Sequence, residues 1–391
     1  MPVELWNVDS PSPEWLEITP SEISMHLCAD WLPSFSSTLS SSLMGWPALL
    51  LKDTKFQSKH VLTLREQLGR SERQWKGMLS WMLAVAGARQ FLAFDGYRWI
   101  APLSAFYPRA LPVDVPSWHP SFPPTILTAT RPSHSVSQLR PDYVALAPFS
   151  SGTGERWAVA EAKGTAKPLS SRRSCPGPWY RQARNIELWL SGESLPIPRH
   201  IVVATRVNPN AVKELTRRLQ VRAWNSSNDF KSPPLPATWG AEVATAHLFG
   251  VFRNLNLIES AKALASAAES RSLGPESRHS GDLEALEENA GRAFAEIERR
   301  TKRPGSNVGA ISQVITIEAP WFRVEIELSR PLLELSRSLM LAGDPRSAAD
   351  ALRKGDRHLD EWHENQRSET KRTVASSFGI VVHTEEFGGR G

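Results

Sequence analysis

The chain has 391 residues, of which 41% are hydrophobic and 22% are charged, and its formal net charge is +5. This is the composition of a globular protein: no run of about 18 apolar residues predicts a membrane span, and two cysteines, Cys28 and Cys175, exclude a disulfide or zinc-cysteine framework. The length exceeds that of one ordinary core, so we expect a main domain with extensions, and the mild positive charge permits a polyanionic partner without requiring one.

The N-terminal sequence has no basic segment followed by an apolar one, so it predicts no secretion signal and, with so few cysteines, a cytoplasmic location. Residues 1–60 are rich in Pro, Ser and Trp and predict an irregular or partly helical lead-in. From about 62 to 87 the spacing is helical, with a sequence like a capping box, SERQ, ahead of the apolar run. QFLAFDGYRWIAPL, with Asp95-Gly96 at its centre, is interpreted as a hairpin or two short strands.

The following segments predict an α/β unit. RPDYVALAPF and RWAVAEAK are predicted strands that pair antiparallel across the turn SSGTGE. WYRQARNIELWL predicts a mostly apolar helix ending at Gly192, and PRHIVVATRV predicts a buried strand. The order of helix, three or so strands, helix and strand over residues 62–207 therefore predicts a compact α/β unit.

The second half of the chain is predicted to be mainly helical. DLEALEENAGRAFAEIERR has helical spacing, VEIEL alternates as a half-buried strand does, and Asp344-Pro345 is expected to open a helix through about Arg367. The predicted domains are a lead-in at 1–60, a core at 61–232 and a C-terminal domain at 233–391 with a short β element.

Two charged residues interrupt the apolar strand RWAVAEAK. Because strand side chains alternate, Glu161 and Lys163 point to one side while Ala160 and Ala162 face the other. Asp142, near the start of the preceding strand, can lie opposite Glu161. Converging carboxylates repel, and a hard divalent cation such as Mg²⁺ relieves the repulsion. A lysine beside such a metal can help deprotonate water or neutralise a phosphate, so the pattern indicates phosphodiester hydrolysis.

Pro141-Asp142, eighteen intervening residues and then Glu161-Ala162-Lys163 resemble the signature of the PD-(D/E)xK nucleases. The resemblance covers about 62–207. It implies an α/β fold with a restriction-endonuclease-like core, which is a mixed sheet flanked by helices, followed here by a mainly helical C-terminal extension.

The resemblance also implies the roles of the site residues. Mg²⁺, with Mn²⁺ as a substitute, would be bound by Asp142, Glu161 and the backbone carbonyl of Ala162, and Lys163 would assist the attacking water.

Further catalytic positions follow from the same resemblance. Gln182, beside Tyr180, fits the place of a Gln or Tyr that some members of the family have on the following helix. A glutamate of the first helix often completes the site, and Glu72 or Glu66 is available, although an acid in a first turn is also stabilised by the helix dipole alone.

A basic stretch without acidic residues follows the strand. Its expected nucleic-acid-binding residues beyond Lys163 are Lys167, Arg172, Arg173, Arg181 and Arg184. Such a cluster neutralises backbone phosphates, although a solvated loop would have the same composition. Trp179 and Tyr180 could stack on bases or anchor the core.

Other catalytic classes lack their signatures. The sequence has no HExxH, no GxSxG and no P-loop, so it predicts no zinc protease, serine hydrolase or ATPase. We therefore expect a Mg²⁺-dependent endonuclease that cuts DNA, with RNA as the less favoured target. By resemblance, the setting would be a prokaryotic anti-phage defence effector.

Three alternatives stay open. Glu161 and Lys163 could be a surface ion pair without further role. The chain could be a catalytically silent nuclease-fold subunit that binds nucleic acid or serves as a scaffold with a partner protein. It could also be a helical adaptor whose residues 240–367 bind a partner. For the nuclease, self-association or a partner subunit is expected through the C-terminal half, and no membrane is involved.

Overall fold

A computed structural model of the protein describes residues 2–7, 14–17, 22–23, 25–26, 51–56, 59–64, 73–106, 122–123, 126–132, 140–149, 156–166, 169, 174–206, 208, 219–227, 236–273, 280–301, 313–319, 322–366, 373–376 and 378–386. The described strands are β1 (Pro2–Asn7), β2 (Glu14–Glu17), β3 (Leu51–Phe56), β4 (Lys59–Leu64), β5 (Trp99–Pro102), β6 (Leu127–Thr130), β7 (Tyr143–Leu146), β8 (Trp157–Thr165), β9 (Glu187–Leu190), β10 (Glu193–Leu195), β11 (Arg199–Arg206), β12 (Gln220–Ser227), β13 (Gln313–Ala319), β14 (Phe322–Leu328), β15 (Thr373–Ala375) and β16 (Ile380–Glu386). The described helices are α1 (Arg73–Phe94), α2 (Gly177–Ala183), α3 (Ala237–Asn254), α4 (Ile258–Ser272), α5 (Ser280–Thr301), α6 (Arg330–Leu341) and α7 (Pro345–Gln366), with a 3₁₀ turn at Leu103–Phe106.

A mixed seven-stranded sheet forms the centre of the fold, with the strand order β2-β1-β12-β11-β8-β7-β5. Strands β8 and β11 are parallel, as are β1 and β12, whereas β11–β12, β7–β8, β5–β7 and β1–β2 are antiparallel. Smaller sheets have the orders β10-β9-β6, β13-β14-β16-β15 and β3-β4. This mixed sheet with packed helices confirms the predicted α/β class.

Helix α1 packs against one face of the sheet. Its apolar residues, including Leu83 and Val85, share a buried cluster with Ala158 and Ala160 of β8 and Val203 of β11. Among the described helices, α1 is the one that by length and composition could cross a membrane. Most of this helix is buried inside the fold, against the sheet.

Helix α3 packs against the opposite face and is buried almost along its whole length. Trp239 of α3 lies with its ring centre 4.9 Å from that of Trp157, the first residue of β8. On its other side α3 contacts α4, α6 and α7. The C-terminal helices therefore continue the same hydrophobic core.

A buried carboxylate joins α7 to the sheet. Oδ1 of Asp356 accepts from Nη1 of Arg98 at 2.8 Å and from Nε1 of Trp99 at 3.0 Å, and Oδ2 accepts from the backbone N–H of Phe149 at 3.0 Å.

Strand β1, near the N-terminus, also belongs to the central sheet, because it pairs with β12. The domain boundaries at 61 and 232 remain a prediction.

Several predicted elements are confirmed and others are wrong. The antiparallel pair β7–β8, the strands β11 and β14, and the helices α5 and α7 form as predicted. Asp344 caps α7 as expected, since its Oδ1 accepts from the backbone N–H of Arg346 at 2.9 Å and of Ser347 at 3.0 Å.

The extent of the first helix was mispredicted at both ends. Residues 59–64 form β4, which pairs with β3, and α1 begins only at Arg73. At the other end, QFLAF belongs to α1 and not to a hairpin. The helix ends at Phe94, and the φ of +86° at Gly96 lets Tyr97 donate from its backbone N–H to the carbonyl of Leu92 at 2.9 Å.

Another prediction is wrong. The helix expected to end at Gly192 stops at Ala183, because Ile186 and Leu188 alternate toward a core and β9 pairs with β6 and β10. The lead-in expected to be irregular or partly helical does contain helical residues, at 22–23 and 25–26, but it also contains the strands β1, β2 and β3, and β1 pairs with β12.

Gly164 lets α1 approach β8 closely. A Cβ atom at Gly164 would lie 2.7 Å from the backbone oxygen of Ser80, whereas one at Gly77, in the same helix, would meet nothing within 4 Å. We expect Gly164→Ala to lower the free energy of unfolding by about 1–3 kcal/mol, because α1 must shift. Gly77→Ala should raise it by roughly 0.5–1 kcal/mol through helix propensity. Urea unfolding measures both, and a Gly164→Ala protein as stable as its parent would contradict the close approach.

Candidate active site

The pairing of β7 with β8 brings Asp142 beside Glu161. Tyr143 lies opposite Ala160, and the backbone N–H of Asp142 donates to the carbonyl of Ala160 at 3.0 Å. The carbonyl of Asp142 accepts from the N–H of Leu103 at 2.8 Å, so its backbone is held from two sides. Asp142 therefore sits next to Glu161 at the end of the paired region, as the predicted hairpin requires.

Glu161 and Lys163 share a face of the sheet with Trp157 and Val159. Those two apolar residues are buried in the cluster that includes α3, whereas the alanines of β8 face α1. The charged pair thus continues an otherwise apolar row on the α3 side.

Lys163 contacts both Glu161 and α2. Its Nζ lies 2.5 Å from Oε1 of Glu161 and donates to Oε1 of Gln182 at 2.7 Å. The side chain of Lys163 is 23% exposed, that of Glu161 only 1%. Gln182 is also buried, and its Nε2 donates to the carbonyl of Arg140 at 2.8 Å. Gln182 therefore connects the lysine to the segment that leads into Asp142.

Asp142 is exposed, and its carboxylate is oriented by the backbone of β8. Its Oδ2 accepts from the N–H of Ala162 at 2.8 Å. The two carboxyl groups thus lie on neighbouring strands, one at the surface and one beneath it, with the ammonium of Lys163 beside the buried one.

Burial raises the pKa of Glu161 to about 9, and the charge of Asp142 adds to the rise. Lys163 acts in the opposite direction, but its contact does not offset the loss of solvation and the neighbouring carboxylate. In the absence of another cation, Glu161 therefore holds a proton at neutral pH. A side-chain hydrogen bond between the two carboxyl groups of Glu161 and Asp142 adds to this rise of the pKa, and no donor in the described part of the chain reaches the buried Oε2 of Glu161.

These residues fit a hard cation. Two coupled carboxyl groups with a buried oxygen that lacks a donor are the chemistry that Mg²⁺ or Mn²⁺ satisfies, because an ion between them would replace the proton on Glu161. Within the described residues, no three or more His, Cys, Asp or Glu side chains gather into a metal site. Further ligands would come from backbone carbonyls such as that of Ala162, from water, or from Glu72 or Glu66, which lie outside the described residues.

The predicted nucleic-acid-binding residues are only partly described. Arg181 on α2 and Arg184 directly after it are exposed, and the guanidinium of Arg184 lies over the ring of Tyr180 at 5.6 Å. Lys167, Arg172 and Arg173 lie outside the described residues. Trp179 packs edge-on against Trp224, at 6.1 Å between ring centres, which favours its interpretation as a core anchor.

Sequence reasoning missed Arg222. This buried arginine of β12 donates from Nη1 to the carbonyl of Leu169 at 2.6 Å and so fixes the chain shortly after β8. Leu169 itself is buried with Val202 and Ala204 of β11. The alternation of QVRAWNSS could have placed Arg222 on one face of its strand, but not beside Leu169.

Comparison with models of protein families, with curated proteins and with solved structures gives no match to this chain.

The buried carboxyl makes stability depend on pH. Unfolded Glu161 loses its proton near pH 4.5, whereas the folded protein keeps it to about pH 9, so between these values the folded state binds more protons and loses stability as pH rises. Without metal, Glu161→Gln should therefore be more stable than the parent at pH 8. The difference in the free energy of unfolding between Glu161→Gln and the parent should grow by up to about 1.4 kcal/mol per pH unit between pH 5 and 8.

Thermal and urea unfolding in EDTA measure this difference across the pH range. A difference in the free energy of unfolding that does not change with pH would show that the Lys163 contact keeps Glu161 ionised. A Glu161→Gln protein less stable than its parent at pH 8 would show the same.

Proposed function

We propose that the protein is a metal-dependent nuclease that hydrolyses phosphodiester bonds, with DNA as its most favoured substrate. The observation that carries the proposal is the meeting of Asp142, Glu161 and Lys163 on two paired strands, with Oε1 of Glu161 2.5 Å from Nζ of Lys163 and the charge of Asp142 acting on Glu161. Few structural ion pairs place a second carboxylate beside a buried glutamate, because the repulsion is costly.

The residues of the chain have distinct parts in this reaction. Asp142 and Glu161 would hold Mg²⁺ or Mn²⁺ together with the carbonyl of Ala162, and the bound metal would supply Lewis acidity toward a phosphate oxygen. Lys163 would orient water and neutralise charge developing on the phosphate. Gln182, which accepts from Nζ of Lys163 at 2.7 Å, would keep the ammonium in place when Glu161 turns to the metal.

The order of the elements supports a restriction-endonuclease-like core. Helix α1, strands β5, β7 and β8, helix α2 and strand β11 come in this order in the chain, interrupted by β6, β9 and β10 of a separate small sheet. Helices α1 and α2 lie on opposite faces of the central sheet. Asp142 stands just before β7, Glu161 on β8 and Gln182 on α2, which is the arrangement that the resemblance implies.

The basic residues Arg181, on α2, and Arg184, directly after α2, are exposed close to Gln182 and would contact backbone phosphates. We place the activity in the cytoplasm, with anti-phage defence as its setting, and assign control to self-association or a partner subunit on the C-terminal helices.

A catalytically silent scaffold subunit is the second candidate. It is favoured by the fact that only two carboxylates meet among the described residues and that Lys163 already pairs with Glu161. Such a protein would bind nucleic acid through the same surface without cutting it.

Cleavage assays decide between the two. The purified protein is incubated with supercoiled plasmid, linear DNA and RNA in Mg²⁺ or EDTA. We expect the parent protein to cleave DNA in the presence of Mg²⁺ and not in EDTA. The cleavage rate should fall about 10²-fold or more in Glu161→Ala, Lys163→Ala and Asp142→Asn, because each substitution removes a metal ligand or the group that activates water.

Lys262→Ala is the matched control. Lys262 lies on α4, is 54% exposed and pairs with Glu259 at 2.8 Å, so its loss changes the net charge as Lys163→Ala does without touching the site. Metal-dependent cleavage that survives Glu161→Ala and Lys163→Ala would refute this site. Metal binding that is lost in Asp142→Asn, in a protein that cuts no substrate, would favour the scaffold.

A further inference from the structure

The sheet face that carries Glu161 and Lys163 continues across β11 to β12. In the register of these strands, Lys163 lies opposite Ala204, which lies opposite Arg222. Two residues further toward the C-terminal ends of β8 and β11, Thr165 lies opposite Arg206, which lies opposite Gln220. Because side chains alternate along strands, both rows are on the face of Lys163.

The two rows differ in how deeply their residues are buried. Ala204 is buried in a small cluster with Leu169 and with Ala183 of α2, and Arg222 is buried beneath Leu169. Arg206, the last residue of β11, is part-exposed. It is thus the first residue of this strand on the Lys163 face that emerges from under α2.

A buried glutamine orients the side chain of Arg206. Its Nη1 donates to Oε1 of Gln220 at 3.1 Å, and Gln220 is only 2% exposed. A guanidinium held in this way is preorganised for a phosphate, because its planar set of donors matches two oxygens at once. With strands about 4.8 Å apart and a rise of about 3.3 Å per residue, the Cα atoms of Lys163 and Arg206 are roughly 8 Å apart.

We propose that Arg206 binds a phosphate of the nucleic acid that neighbours the one held at Glu161 and Lys163. The nucleic-acid strand to be cut then runs from Asp142, directly before β7, across the C-terminal ends of β8 and β11 toward β12. This inference rests on the proposed function, because it takes the group at Lys163 to be a phosphodiester.

Another arginine of the same strand shows the difference in setting. Arg199, at the opposite end of β11, donates from Nη1 to Oδ2 of Asp95 at 3.2 Å and to the hydroxyl of Tyr97 at 2.8 Å. Arg199 therefore lies on the α1 side of the sheet, away from the candidate site. Arg206 lies on the other face, donates to the amide oxygen of Gln220 and stands next to the proposed site.

Binding assays test the assignment. A fluorescein-labelled 20-nucleotide DNA, single-stranded or duplex, is titrated in EDTA with the parent, Arg206→Gln, Arg206→Lys and Arg353→Gln at several salt concentrations. Arg353, on α7, is 54% exposed and serves as the charge-matched control.

We expect Arg206→Gln to weaken binding about 3- to 10-fold and to lower the slope of log K against log salt by about 1, the loss of one phosphate contact. Arg206→Lys should keep the slope, because the positive charge remains. Arg353→Gln should change neither the affinity for DNA nor the slope. A role limited to the bond with Gln220 would alter the thermal midpoint and leave the slope unchanged.

The outcomes separate this inference from the proposed function. If Arg206→Gln binds as Arg353→Gln does, or if the parent binds no DNA, Arg206 is not a phosphate ligand. If the parent cuts plasmid and Arg206→Gln has an unchanged KM, the phosphate assignment fails while the nuclease stands. If Arg206→Gln lowers the slope of log K against log salt although no form of the protein cuts DNA, Arg206 is a phosphate ligand and the proposed nuclease activity is wrong.

Discussion

The candidate site depends on one register, that of β7 against β8. With Tyr143 opposite Ala160, Asp142 comes to lie beside Glu161, whereas a slip by one residue would turn the charged face of β8 toward α1. Packing fixes this register from both sides of the sheet. Trp157 must be buried against α3, and Gly164 must lie where α1 comes closest, against Ser80. The hydrophobic core and the charged site are therefore specified by the same alternation of side chains.

Keeping a glutamate in that position costs stability. Glu161 lies almost out of contact with water, faces the charge of Asp142 and has Lys163 as its only nearby cation among the described groups. A fold selected for stability alone would place an apolar residue there, in line with Val159. Perturbed carboxyl groups of this kind gather at functional sites, where the strain is relieved when a ligand binds. In this protein, the ligand that relieves it is proposed to be a divalent cation.

Local sequence patterns predicted the parts of the site that depend on neighbours in the chain. Period-two alternation placed Glu161 and Lys163 on one face, and a short turn placed Asp142 opposite. The contact of Gln182 with Lys163 agrees with the position that the family resemblance implies. The extents of α1 and of the helix at α2 were mispredicted, because a glycine that ends a helix and a strand that alternates over only four residues give weak local signals. Arg206 was missed for a different reason: its place beside Lys163 follows from the pairing of β8 with β11, two strands separated by some thirty residues, which no local pattern encodes.

The central claim is that Asp142 and Glu161 share one divalent cation, and anomalous scattering from crystals grown with Mn²⁺ tests it most directly. The account predicts an anomalous peak between the two carboxylates, within ligand distance of both, and the same peak absent from crystals of Asp142→Asn. A fully ordered site without a peak at saturating Mn²⁺, or with manganese bound elsewhere while Glu161 stays paired with Lys163, would contradict it.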